Sequence, residues 1–218
     1  MFWEVLDEPQ QIILRKLAAT TLVAESYLAG GTGLALLIGH RQSLDFDWFI
    51  PVEFDPGIIS EALSCLGEVV ITETGKGTFH GLLNGTRVTW LWYPNPLLEP
   101  PVTSPAVPGL KVASLTDIAL MKWTALSQRG SRKDFIDLYF LCQKGLSLAE
   151  LIMKVPQKYP EKKINHYHMI KSLSYFDDAR REAFPVMKTA FDWNDLEKFF
   201  IEEKNKLLHN LEKGLYLD

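Results

Sequence analysis

Residues 30 to 49 constrain the fold of this chain more than any other stretch of its sequence. Gly30 and Gly31 allow a backbone turn that other residues resist. Thr32 is placed to cap the short apolar helix that follows. A glycine turn that opens a helix offers backbone amides to a phosphate group. The turn therefore predicts an anion site at the start of a helix.

The same stretch ends in a strand that carries two carboxylates on one face. Asp45 and Asp47 are two residues apart, so a strand points both side chains in the same direction. Neighbouring carboxylates repel each other unless a cation lies between them, and hard oxygen ligands of this kind suit magnesium. Turn and strand together predict a site for a magnesium nucleoside triphosphate. Two merely exposed strand residues are the alternative, which the preceding glycine turn disfavours.

Two runs of residues resemble motifs of a known family. The run Gly-Gly-Thr-x-Leu-Ala-Leu, followed by Gly-His-Arg, Ser and Asp-Phe-Asp, resembles the first motif of the nucleotidyltransferase superfamily. More specifically, it resembles the AbiEii/AbiGii-type toxins of bacterial toxin–antitoxin and phage-defence loci. A lysine at position 122, then Ala-Leu, Arg, Lys-Asp and Asp-Leu-Tyr-x-Leu, resembles the second motif of this family. The resemblance extends from residue 29 to about residue 141.

The resemblance implies an enzyme that transfers a nucleoside monophosphate from a nucleoside triphosphate to an acceptor hydroxyl, with Mg²⁺ as cofactor. The catalytic residues that it implies are Asp45, Asp47, Lys122 and Asp137, of which the first two hold the metal. The nucleotide-binding residues that it implies are Gly30, Gly31, Thr32, Arg41, Ser43, Arg129 and Lys133. An RNA acceptor, such as a tRNA end, and a separate antitoxin protein are the implied partners.

Some of these residues also fit structural roles. Lys122 can pair with Asp137 or Asp117 as a structural salt bridge rather than neutralise phosphate. Arg129 and Asp134 fit a scaffolding pair better than a catalytic one. The histidines carry no sequence signal for a metal site, and two of them, His166 and His168, are interpreted as surface residues.

One position departs from the pattern of polymerase-type nucleotidyltransferases. Those enzymes have a third carboxylate on a later strand, and Thr89 occupies the expected place here. Two metal ions usually need more than two carboxylates between them. The site therefore uses one metal, takes its third acid from Asp137, or is inactive. The last case motivates an alternative function, a nucleotide- or protein-binding module that kept the fold and lost catalysis.

Composition limits the other classes of function. The chain has 218 residues and a net charge of −4, which argues against a protein that coats nucleic acid generally. No apolar run approaches the length of a membrane span, and the N-terminus lacks a signal-peptide pattern. Cys65 and Cys142 have no metal-ligand spacing and are interpreted as reduced core residues of a cytoplasmic protein. No membrane partner is expected, and the oligomeric state stays open.

The predicted fold class is α+β, a nucleotidyltransferase-like mixed sheet with flanking helices plus a C-terminal helical lobe. Strand-like segments flank Asn84-Gly85, a strong hairpin signal. Six of the 12 prolines lie between residues 94 and 108, which is typical of a stiff connection. The predicted domains are a core at 1–93, a connector at 94–109, and a helical lobe at 110–218 that completes the site.

Overall fold

A mixed sheet of seven strands forms the framework of residues 1–114 in this computed structural model, which describes residues 1–215. The strands are β1 (Tyr27–Leu28), β2 (Asp45–Ile50), β3 (Val69–Gly75), β4 (Thr78–Leu83), β5 (Thr86–Trp92), β6 (Val102–Thr103) and β7 (Lys111–Val112). Their order is β3-β4-β5-β2-β1-β7-β6, with parallel pairing only for β2 with β5 and β1 with β7 among these described strands. The helices of this unit are α1 (Glu8–Ala18), α2 (Gly30–Ile38) and α3 (Pro56–Ser64).

The alternation of side chains in β2 and β5 separates an apolar face from a polar one. On the apolar face, Trp48 and Trp90 are fully buried and stack with ring centroids 5.9 Å apart. Within residues 1–215 neither indole N–H has a hydrogen-bond partner, so apolar burial and stacking hold this pair. Asp45 and Asp47 lie on the opposite face of the same strands.

The hairpin between β4 and β5 forms where the sequence predicts it. Asn84 and Gly85 both have positive φ, at 48° and 80°, as a two-residue hairpin turn with the right twist requires. Leu83 and Thr86 form the first pair of strand residues after the turn, and the pairing of β4 with β5 continues from there. The α+β fold class, with a mixed sheet, flanking helices and a helical C-terminal part, is confirmed.

The first unit extends beyond the proline-rich segment. Contacts divide the chain after Ser114, whereas the sequence analysis ended the core at residue 93. The difference arises because β6 and β7 pair with each other and β7 pairs with β1, which draws this part of the chain into the sheet. Pairing between strands that lie so far apart in the chain leaves no local pattern in the sequence.

The second unit begins at Leu115, and its regular elements up to residue 215 are helices. Its helices are α4 (Leu115–Arg129), α5 (Arg132–Gln143), α6 (Leu148–Lys158), α7 (His166–Ser172), α8 (Asp177–Arg181) and α9 (Trp193–Glu212). Phe135 of α5 packs against Phe176, Trp193 and Phe200 in an aromatic core. A fully buried ion pair joins Lys158 to Asp117 at 2.7 Å.

Two further expectations concern cysteines and membranes. Cys65 is exposed, so its interpretation as a core residue is wrong. Burial and the charge of Glu203 raise the pKa of Cys142 to about 12, so that thiol stays protonated at neutral pH. None of the helices among residues 1–215 has the length and apolar character that a membrane span requires.

Candidate active site

Helix α2 begins directly at the glycine pair. Gly30 has a φ of 61°, a left-handed conformation that favours glycine. Ala29 precedes the helix and provides no side-chain cap, so the prediction that Thr32 caps it is wrong. The Thr32 side chain is buried, and its hydroxyl donates to the Asp45 carbonyl and bonds with the Ser43 hydroxyl at 2.7 Å. Thr32 therefore ties the start of α2 to the start of β2.

Two charged side chains close over the glycine pair. A Cβ added at position 30 would overlap the Asp47 carboxylate, and one at position 31 would overlap the Arg41 guanidinium. Arg41 is buried, and its Nη1 donates to the Gln42 carbonyl at 3.0 Å. The Ser43 hydroxyl oxygen would lie 3.3 Å from the same added Cβ at position 31. The first turn of α2, a guanidinium, a hydroxyl and a carboxylate therefore share one small volume.

The strand beside β2 presents no acid to this volume. Arg87 lies opposite Asp45, with Nε 3.9 Å from Oδ1, and both side chains are substantially exposed. Such an exposed pair contributes little to stability. Thr89 lies opposite Asp47, in the place where a third carboxylate would stand, and is buried. The Asp45–Asp47 face therefore gains no negative charge from β5.

His80 was given no role by the sequence analysis, yet it joins this row of polar side chains. Its Nδ1 lies 3.1 Å from the Thr89 hydroxyl, and the two residues are partners across the β4–β5 hairpin. Counting outward from the Asn84-Gly85 turn would have given this pairing, because hairpin register follows from the turn. The row thus runs from His80 through Thr89 to Asp47.

The donor set on β2 fits a magnesium ion whose remaining ligands come from a nucleotide. Within residues 1–215 there is no group of three or more acidic, histidine or cysteine side chains that could hold a metal ion. Magnesium is commonly bound by one or two carboxylates together with water and substrate phosphates. Asp45 and Asp47 would supply the carboxylates, and the adjacent turn at Gly30 is suited to phosphate.

In the helical unit, Lys122 lies between two buried carboxylates. Its Nζ is 3.0 Å from Asp134 Oδ1 and 2.6 Å from Asp137 Oδ2. Arg129 donates to Asp134 from Nε at 2.7 Å and from Nη2 at 3.0 Å. Two cations and two carboxylates therefore balance, as buried charges require. Of the structural pairings that the sequence suggests, Arg129 with Asp134 and Lys122 with Asp137 are present, whereas Asp117 pairs with Lys158.

The ionisation of Asp134 reflects this balance. Burial acts to raise its pKa, but the charge of Lys122 and the hydrogen bonds and charge of Arg129 outweigh burial and lower the pKa below its usual value. Asp134 is therefore charged at neutral pH and holds both cations in place. Lys133, the next predicted residue, is exposed at the start of α5.

Comparisons with known proteins match a family and a fold. The model of the family described as "Nucleotidyl transferase AbiEii toxin, Type IV TA system" matches residues 85–212, which include Lys122 and Asp137. An uncharacterised protein of Aquifex aeolicus is 38% identical over 208 residues, which cover 94% of this chain and 98% of that protein.

Two solved structures share the fold. The nucleotidyltransferase toxin MenT4 from Mycobacterium tuberculosis has a TM-score of 0.61 at 15% identity, covering 92% of this chain and 82% of that one. A candidate nucleotidyltransferase from H. pylori has a TM-score of 0.54 at 18% identity, covering 95% of this chain and 98% of that one. At these identities the likeness shows the fold alone.

Proposed function

The chain belongs to the AbiEii nucleotidyltransferase toxin family, and from that premise we propose that it is a magnesium-dependent nucleotidyltransferase of the bacterial cytoplasm. It transfers a nucleoside monophosphate from a nucleoside triphosphate to an acceptor, for which we propose RNA such as a tRNA end. A cognate antitoxin protein is the proposed regulator. The main support for the proposal is that the Asp47 carboxylate and the Arg41 guanidinium lie directly against the two glycines at the start of α2.

The residues of the sheet unit are proposed to hold the triphosphate. Backbone amides of the first turn of α2, together with Arg41 and Ser43, bind the phosphate oxygens, because amides and a guanidinium at a helix start favour anions. Asp45 and Asp47 bind the magnesium ion. A magnesium ion held by these two carboxylates would supply positive charge that neutralises the phosphates during transfer.

Two residues of the helical unit are proposed to serve the chemical step. Lys122 places a positive charge on the phosphates, and Asp137 accepts the proton of the acceptor hydroxyl. The acceptor oxygen then bonds to the α-phosphorus, and pyrophosphate leaves. Arg129 and Lys133 are proposed to contact the nucleotide through their exposed parts, since the Arg129 side chain is 63% exposed although it binds Asp134.

One observation supports a second candidate, a nucleotide-binding module without catalysis. Thr89 stands opposite Asp47, and its hydroxyl bonds with His80, so this position supplies no third carboxylate. A site with two carboxylates can bind a magnesium nucleotide even when it lacks the groups for transfer.

An incubation with labelled substrates tests the proposed function. The full chain is mixed with each α-labelled nucleoside triphosphate, magnesium and total bacterial RNA. We expect one or more triphosphates to label an RNA band, and EDTA to abolish the label. Magnesium-dependent triphosphate binding without any transfer would support the binding module instead. Absence of both binding and transfer would contradict both candidates.

Substituting Gly31 tests the proposed phosphate cradle. Gly31→Ala is expected to weaken triphosphate binding about tenfold or more, because the added methyl displaces Arg41 and charge-assisted hydrogen bonds are lost. The melting temperature is expected to change little, since the flexible end of Arg41 can move aside. Isothermal titration calorimetry with magnesium and a triphosphate measures the affinity.

Gly75→Ala is the matched control for this substitution. A Cβ at position 75 meets only the Thr78 Cβ, at 3.9 Å, which is an ordinary contact. We expect this variant to bind the triphosphate as the wild type does. Equal affinities for the wild type and Gly31→Ala would show that Arg41 does not hold phosphate.

A further inference from the structure

One segment of the helical unit is rich in lysines and tyrosines. Between residues 154 and 176 the chain has five lysines and a single acid, Glu161, although its overall net charge is −4. One of the five, Lys158, is buried against Asp117 and adds no surface charge. The basic–aromatic surface is defined here as Lys162, Lys163, Tyr167, Lys171 and Tyr175, together with Lys204 of α9.

An ammonium group and two exposed rings lie at the centre of this surface. Lys171 Nζ is 4.9 Å from the centroid of the Tyr167 ring. A hydrogen bond from Lys171 to Tyr167, with a smaller effect of Tyr175, raises the pKa of Lys171, so its charge is secure at neutral pH. The two tyrosines are 51% and 54% exposed, which is high for aromatic residues.

The lysines of this surface lack carboxylate partners. Within residues 1–215, no ion pair joins Lys162, Lys163, Lys171 or Lys204 to an acid. By contrast, Lys206 on the same helix as Lys204 pairs with Glu203 at 2.7 Å. The Lys204 ammonium instead lies 3.3 Å from the Ser174 hydroxyl, next to Tyr175. These four lysines therefore form no direct ion pair with a carboxylate, which leaves their ammonium groups available to a polyanion.

We propose that the basic–aromatic surface binds single-stranded RNA. Bases stack on Tyr167 and Tyr175, and Lys162, Lys163, Lys171 and Lys204 contact the phosphates. Exposed aromatic rings interleaved with lysines are the usual means of binding single strands without sequence preference. An acidic protein segment would use the lysines alone and leave both rings without a function. The inference rests on the proposed RNA acceptor and adds the surface that holds it.

RNA binding is measured without any triphosphate, so that transfer plays no part. Fluorescence anisotropy of a short fluorescein-labelled single-stranded RNA gives the affinity of the full chain at several salt concentrations. Tyr175→Ala is expected to weaken binding about fivefold or more, and Tyr175→Phe to retain it, because stacking needs the ring and not the hydroxyl. Replacing Lys162 and Lys163 together with alanine is expected to reduce the salt slope by about 1.4, or about 0.7 for each phosphate contact.

Charge reversal supplies a matched pair of variants. Lys171→Glu is expected to weaken RNA binding strongly, whereas Lys188→Glu, the same change at an exposed lysine outside this surface, is expected to have little effect. Equal effects of the two reversals, or none, would overturn the inference. So would binding of an acidic peptide in preference to RNA. If the chain has no transferase activity but binds RNA through this surface, the inference holds and the proposed function fails. If the chain transfers nucleotide to RNA and these variants leave that transfer unchanged, the proposed function holds and the inference fails.

Discussion

Asp47→Asn is expected to reduce nucleotidyl transfer by at least about a hundredfold. The amide keeps the size of the side chain but loses the negative charge that is proposed to bind the metal. Changes in residues that only support metal ligands already cost about 10- to 100-fold, so loss of a ligand itself should cost more. The free energy of unfolding should change by less than about 1 kcal/mol, because Asp47 is half-exposed and the strand keeps its shape. Transfer of a labelled nucleoside monophosphate and a thermal melt give the two quantities.

Glu73→Gln is the matched control for this loss of charge. Glu73 lies in the same sheet, on β3, and is exposed. The Glu73→Gln substitution removes the same charge from the same unit without changing β2. The transfer activity of this variant should stay at the wild-type level. If Asp47→Asn and Glu73→Gln transferred nucleotide at the same rate, Asp47 would not be a metal ligand and the proposed site would be wrong.

Asp117→Ala is expected to destabilise the protein by about 3–5 kcal/mol. The change leaves the Lys158 ammonium buried without its carboxylate, and uncompensated buried charges have costs of this size. Burial already lowers the pKa of Lys158, and the hydrogen bond and charge of Asp117 only partly oppose that effect. Without Asp117 the lysine can avoid the cost by losing its proton. The destabilisation should therefore shrink as the pH rises, which melting curves at several pH values will show.

A double substitution separates lost charge balance from lost packing. Asp117→Leu combined with Lys158→Met replaces the ion pair by apolar groups of similar length, and such replacements are often neutral. We expect the double variant to recover most of the stability that the single variant loses. If Asp117→Ala were as stable as the wild type, water would have to reach Lys158, and the ion pair would not be shielded from solvent.

Local patterns account for the parts of the fold and site that the sequence predicts. The two-residue alternation of β2 gives the common face of Asp45 and Asp47, and Asn84-Gly85 gives the β4–β5 hairpin. The pairs Lys122–Asp137 and Arg129–Asp134 join the neighbouring helices α4 and α5. In each case the residues that meet are close in sequence or follow the period of one element.

Features that depend on distant pairing were missed. β7 joins the sheet through the partner pair Leu28 and Val112, which lie so far apart in sequence that no local pattern indicates the pairing. Thr32 resembles a helix cap in sequence, but its hydroxyl bonds to β2, which only the folded sheet brings close. His80 likewise joins the polar side chains near Asp47 only through its hydrogen bond with Thr89.

The central place of β2 in the sheet also affects the dynamics of Asp45 and Asp47, the proposed metal ligands. Three strands lie on each side of β2, so its backbone groups pair with β5 on one side and β1 on the other. Opening this strand requires the whole sheet to separate, and such amides exchange with solvent among the slowest of a domain. We therefore expect the backbone of Asp45 and Asp47 to keep a fixed spacing when a nucleotide binds. Adjustments to different nucleotides then fall to side-chain rotation and to the glycine turn before α2.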